Sequence, residues 1–92
     1  MPRPCIKRRV RGCPHSFYFK PAGVRMINLN ETILTLPEFE AIRLIDFQQI
    51  PQEQASKQIQ VSQPTLSRIL KIARRKISDA IINGKAIKIS NL

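Results

Sequence analysis

Apolar residues recur at helical spacing through the last third of the chain. Leu66, Ile69, Leu70, Ala73, Ile77, Ala80 and Ile81 keep one face for more than about four turns. Asn83-Gly84 ends the run, as a C-cap does. Its start is marked by Pro64: in a helix interior a proline removes a hydrogen bond and clashes with the preceding turn, at about 3 kcal/mol, whereas in the first turn its missing N–H is not needed. The helix therefore begins between Val61 and Pro64. Either Ser62 or Gln63 caps it, since a residue before proline resists the α region.

The same reading places two elements upstream. Pro51 opens a short helix, Gln52 to Ile59, with Ala55 and Ile59 on one side, and Gln60-Val61-Ser62 breaks it. Thr35-Leu36-Pro37-Glu38 starts another helix, spanning 35–48, because Thr35 can cap an orphan amide, Pro37 sits in the first turn and Glu38 completes a capping box. Its apolar residues, Phe39, Ile42, Leu44, Ile45 and Phe47, are spread around more than one face, so it is contacted on several sides, one of which suits a second subunit.

The first 25 residues are rich in proline and arginine and poor in helical periodicity, and read as an arm. Cys5 to Arg11 and Phe17 to Phe19 are short extended candidates, with Lys20-Pro21-Ala22-Gly23 as a turn; the aromatics are expected to cover an edge of the core. Lys85 to Ile89 alternates as a short strand with one basic face, able to pair with the arm. The expected fold is mainly α, a helix-turn-helix bundle with a basic, partly extended N-terminal arm and a short C-terminal strand. One domain over 1–92 is expected, with the arm at 1–25, the first helix at 35–48 and the helix-turn-helix at 52–83.

The helix-turn-helix reading rests on offsets. Ala55 and Ser56 form a small pair where two helices can approach, Val61 lies in the turn, and Leu66 and Ile69 supply the wedge between them. The turn holds Gln60 where such units usually have glycine, and a left-handed backbone there costs glutamine about 1 kcal/mol. On the second helix Pro64, Ser67, Arg68, Lys71, Arg74, Arg75 and Ser78 lie opposite or beside the apolar stripe, and only Ile72 and Ile82 interrupt that polar face. Those two isoleucines need cover from the arm or a second subunit.

Charge gives this face a partner. The formal net charge is +10. Arg3, Lys7, Arg8, Arg9, Arg11, Lys20 and Arg25 crowd the first quarter, Arg68 to Lys88 the last third, and the acids Glu31, Glu38, Glu40, Asp46 and Glu53 lie between them. Two phosphate-facing elements are implied. Gln63, Thr65, Ser67 and Arg68 have the chemistry for base edges: glutamine pairs adenine, arginine pairs guanine, and the threonine methyl touches thymine. Lys71, Arg74 and Arg75 suit phosphates, as do Arg3, Lys7, Arg8, Arg9 and Arg11 in the arm.

Several stretches together resemble a family of small prokaryotic proteins predicted to bind DNA. They are the opening "MPRP", "FKPAG" at Phe19 to Gly23, "LTLPEFEAIRL", "QEQASKQIQVSQPTLSRIL" and "ARRKISDAIINGKAIKI". The resemblance covers nearly the whole chain. Its second half is also similar to region 4 of sigma-70-type transcription factors, in which the second helix of the unit enters the major groove of promoter DNA. What this implies is a DNA-binding role for Gln63, Thr65, Ser67 and Arg68.

Other chemistries fare less well. Cys5, Cys13 and His15 form C-x7-C-x-H, a set of weak metal candidates with one ligand too few and spacing too wide for a structural zinc site. One histidine, no paired carboxylates in a cleft and no glycine-rich phosphate loop argue against an enzyme, and no cofactor is expected. Two cysteines and no apolar run of about eighteen residues fit a cytoplasmic protein with no membrane span. The expected function is sequence-specific binding of double-stranded DNA by a transcriptional regulator. A homodimer is expected, since one such unit reads only a few base pairs. The alternatives are a sigma-like adaptor touching RNA polymerase or another protein through the acidic patch at Glu38, Glu40 and Asp46, or an RNA-binding protein.

Overall fold

The computed structural model describes residues 14–25 and 29–90. Strand β1 (Tyr18–Phe19), strand β2 (Glu31–Thr35), helix α1 (Leu36–Ala41) with a π-helical continuation (Ile42–Phe47), helix α2 (Gln52–Ile59), helix α3 (Gln63–Asn83) and strand β3 (Ala86–Ser90) follow in that order. The protein is mostly helical. It also carries a three-stranded sheet ordered β1-β3-β2, which is more sheet than its hydrophobic pattern suggests.

Strand β3 is central. It runs antiparallel to β1, with Tyr18 opposite Lys88, and parallel to β2, with Leu34 opposite Ile89. Leu34 and Ile89 are buried side by side, and with Leu36 and Ala73 they form one core cluster, against which Phe17, Phe39, Ile42, Ile77 and Ile87 pack. Strand β2 escapes sequence reading because its apolar pair Ile33-Leu34 is adjacent rather than alternating, and its pairing comes from a segment at the far end of the chain. The pairing expected between the closing strand and the arm is present within 14–25, where β1 is tied into the sheet through β3. Ile89 N–H donates to the Phe17 carbonyl at 2.9 Å, and the Tyr18 hydroxyl donates to Glu31 Oε2 at 2.9 Å. That bond to the Glu31 carboxylate holds the Tyr18 phenol above its ordinary pKa.

Thr35 ends β2 and caps α1. Its Oγ1 accepts from Glu38 N–H at 3.3 Å while Glu38 Oε1 accepts from Thr35 N–H at 2.9 Å, closing the capping box around Pro37. From Ile42 the winding loosens, and Gln48 N–H reaches back to the Arg43 carbonyl at 2.9 Å, five residues away. Leu44 enters the core while Phe47, at 80% exposure, stands outside it. The turn that follows reverses the chain through Gln49, whose φ is 59°.

The second core cluster joins this segment to the two later helices: Ala41, Leu44, Ala55, Ile59, Leu66 and Leu70 are all buried, with Ile45, Ile50, Val61 and Ile69 around them. Truncating any of its leucines to alanine costs about 2–5 kcal/mol. Ile81 does not join the stripe in which its spacing places it. It is 72% exposed, at the rim of a depression it shares with Phe19 and Pro21, while its neighbour Ala80 takes the buried position.

Candidate nucleic-acid interface

The α2–α3 junction is fixed by local chemistry. Gln60 adopts the left-handed region (φ 69°, ψ 45°), so that its own N–H and that of Val61 both return to the Ser56 carbonyl, at 2.8 and 3.0 Å. Ser62 is the N-cap of α3, accepting from Thr65 N–H at 3.3 Å, and Pro64 lies in the first turn. Ala55 is fully buried and Ser56 nearly so. With no bulk there, α3 seats directly against α2, and the Ser56 hydroxyl donates to the Glu53 carbonyl at 2.9 Å.

Leu66, Leu70 and Ala73 point into the core, which turns Gln63, Pro64, Ser67, Arg68, Lys71, Arg74 and Arg75 outward; all seven are exposed. Thr65 differs: it is half-buried, and its hydroxyl accepts from Ser62 Oγ at 2.9 Å, so its methyl is the freer end. Arg68 and Lys71 carry no ion pair among the described residues. Arg75 is likewise in no ion pair among the described residues, and its charge helps hold the Asp79 carboxyl below the usual range. Arg74 is engaged with Asp46 in a two-pronged pair, which holds its guanidinium pKa above the ordinary value. Lys76 turns inward to Glu38 at 2.8 Å.

The central acids do not form a surface patch. Glu40 is fully buried and takes two bonds from Arg43, at 2.9 and 2.7 Å, which raise the arginine's pKa; Glu38 is buried and joins the capping box and Lys76. A run of acids within one helical segment reads as an exposed patch only until its basic partners are located, and here one partner lies 38 residues away. An adaptor surface at Glu38, Glu40 and Asp46 is therefore not what these residues build.

Asp79, near the far end of α3, accepts from Lys85 at 2.7 Å and Asn83 at 2.6 Å, which holds its carboxyl below the usual range. An apolar groove of about 560 Å³ opens elsewhere, between Phe19 on β1 and Phe39, Ile42 and Phe47, with Pro14, His15 and Ile89 along it. Sequence reading gave no sign of it, since its walls come from both halves of the chain. Arg3, Lys7, Arg8, Arg9 and Arg11, together with Cys5 and Cys13, lie outside the described residues. His15 is exposed, and no cluster of three metal-ligating side chains occurs among the described residues.

These features define a mostly helical protein whose longest helix displays polar and basic residues beyond a three-residue turn, with a small mixed sheet behind it. Among the described residues no helix is long and apolar enough to cross a membrane. The chain belongs to the family described as "Protein of unknown function DUF134", whose model matches residues 1–91. A "UPF0251 protein" of Thermoanaerobacter pseudethanolicus is 49% identical over 89 residues, covering 97% of this chain and 75% of the relative. Those of Moorella thermoacetica (49%, covering 97% of this chain and 60% of the relative) and Dehalococcoides mccartyi strain BAV1 (45%, covering 97% and 76%) are similar too. No solved structure matches this chain.

Proposed function

We propose that the protein binds double-stranded DNA in a sequence-specific way as a transcriptional regulator. In this reading α2, the Gln60-Val61-Ser62 turn and α3 act as a helix-turn-helix similar to sigma-70 region 4, with the start of α3 in the major groove. The observation that supports it is the free row on α3: Gln63, Ser67 and Arg68 are exposed at its first turns, directly ahead of exposed Lys71 and Arg75. Side chains able to read base edges come first and cations able to hold phosphates follow, as a helix entering the groove by its N-terminal end requires. The net charge of +10 supplies the long-range attraction.

Selection of bound sequences from a random duplex pool at physiological salt tests this, followed by titration of the winner against a scrambled duplex. A recurring site bound at least about 1,000-fold more tightly than the scramble supports the reading. Affinity without sequence preference, collapsing as salt rises, would sink it.

A second reading, an adaptor that touches RNA polymerase or another protein, draws support from Phe47, which stands exposed beside the apolar groove. Phe47→Ser would then abolish capture of the polymerase and leave DNA affinity unchanged.

A further inference from the structure

The exposed side of α3 carries a second pattern behind its reading end. Arg68, Ile72, Arg75, Asp79 and Ile82 follow one another at intervals of four, three, four and three residues. That is the spacing of a seam along which two helices pack. Ile72 is 50% and Ile82 79% exposed, so both apolar members of the seam face solvent in the single chain. Arg75, Ser78, Asp79 and Ile82 stand at positions i, i+3, i+4 and i+7 around a shallow depression of about 250 Å³, the four-cornered hole that receives a side chain from a facing helix.

The seam is also complementary to itself when reversed. A two-fold axis beside Ile77 sets Ile72 against the partner's Ile82 and Arg75 against the partner's Asp79, and by symmetry each contact occurs twice. We propose that α3 pairs antiparallel with α3 of a second copy of this chain through Ile72, Arg75, Asp79 and Ile82; in the dimer Arg75 serves this seam, which leaves Lys71 to hold phosphate in the exposed row of α3. The apolar groove beside Phe47 offers no such charge match: Arg43 on its wall is bound to the fully buried Glu40, whereas Asp79, although it accepts from Lys85 and Asn83, is a third exposed and its carboxylate can accept a further bond from the partner's Arg75.

The interface stands on the helix alone, whereas its consequence for DNA rests on the proposed function. The middle of the reading segment Gln63 to Arg68 lies between Thr65 and Leu66. At 1.5 Å per residue an axis beside Ile77 puts the two reading segments about 34 Å apart. One turn of DNA separates successive major-groove half-sites by roughly 34–36 Å. To one side of the seam, the side where the axis meets DNA, stand Lys71, Ser67 and Gln63, about 60°, 100° and 140° around α3 from it, while Arg68 lies at the outer end of the seam, beyond the partner's α3.

About three helical turns of contact bury less than the roughly 1,600 Å² of a standard interface, so the pairing is weak without DNA. Sedimentation equilibrium of the full chain from about 1 μM to about 1 mM tests it, using the wild type, Arg75→Asp, Asp79→Arg and an equimolar mixture of the two variants. Each variant alone places like charges across the seam, twice; the mixture places opposite charges there. The expected result is a wild-type dimer, at least about tenfold weaker self-association in each variant, and recovery in the mixture, with circular dichroism confirming that each variant folds. A monomer throughout, variants that dimerise as tightly as the wild type, or a mixture no tighter than its components would overturn the proposal. None of these readouts contains DNA, so selection of a single unpaired half-site would count against the spacing, and selection of nothing against the DNA reading, with the dimer judged separately.

Discussion

Asp46 and Arg74 meet across 28 residues of sequence: Arg74 Nη2 reaches Asp46 Oδ1 at 2.6 Å and its Nε reaches Oδ2 at 3.1 Å. The pair pins the π-helical turn after α1 to the middle of α3. It also withholds one cation from the row that would meet phosphates. Both side chains are more than a third exposed, so the pair contributes at most about 1 kcal/mol to stability.

Asp46→Ala therefore tests what that restraint does. Releasing Arg74 and deleting a nearby negative charge is expected to tighten binding to all DNA sequences alike and to steepen the plot of log affinity against log salt by about one unit. The stability loss stays within about 1 kcal/mol. An unchanged salt slope would mean that Arg74 takes no part in phosphate contact.

Arg68 and Lys71 are neighbours on the same exposed side with different expected duties. Arg68→Ala is expected to relax preference at one base position at a cost of about 1–3 kcal/mol on the specific site, whereas Lys71→Ala weakens specific and random duplexes equally and lowers the salt slope by about one. Titrating both variants against the selected site and its single-base changes separates the two. Equal losses on every sequence for both variants would remove Arg68 from base reading.

The Gln60 turn gives a prediction that needs no DNA. A glutamine at φ 69° bears left-handed strain, and glycine accepts the conformation freely, though it loses more entropy on folding. Gln60→Gly is expected to raise stability by up to about 1 kcal/mol, and Gln60→Val to lower it by more than that. The shift of the urea midpoint at constant m-value checks both signs.

Local signals were legible in the sequence and distant ones were not. Pro64 with Ser62 marks the start of α3, Gly84 its end, and Thr35, Pro37 and Glu38 the start of α1, because each acts within one helical turn. The bases that pair with Glu40 and Glu38 illustrate the limit. Arg43 is three residues from its acid and within reach of pattern reading, but Lys76 comes from another helix. Strand β2 is hidden for the same reason: only β3, more than fifty residues later, makes a strand of it. The free row on α3 could be read from periodicity, whereas Arg74's removal from that row could not, since the spacing that exposes Arg74 says nothing of Asp46. The Ile72–Ile82 seam lay in plain sight as two isoleucines on a polar face, and the depth of the Arg75–Asp79–Ile82 depression required coordinates.

Asp79 links the end of α3 to the start of β3 through Lys85, and the sign of its pH dependence follows from its partners. The Lys85 ammonium, then the Asn83 amide, hold its carboxyl below the ordinary range in the folded chain. The unfolded chain, with a carboxyl near the usual value of about 3.9, binds the proton more readily. Stability from this group is thus fully present above about pH 5 and is lost as pH falls through the depressed folded value. Asp79→Asn cannot titrate. The gap in urea midpoint between wild type and Asp79→Asn is therefore expected to be constant from about pH 5 to 7 and to close as the pH is taken below about 4. A gap that persists unchanged in acid would show that the Asn83 and Lys85 contacts act through packing, with no contribution from the carboxylate charge.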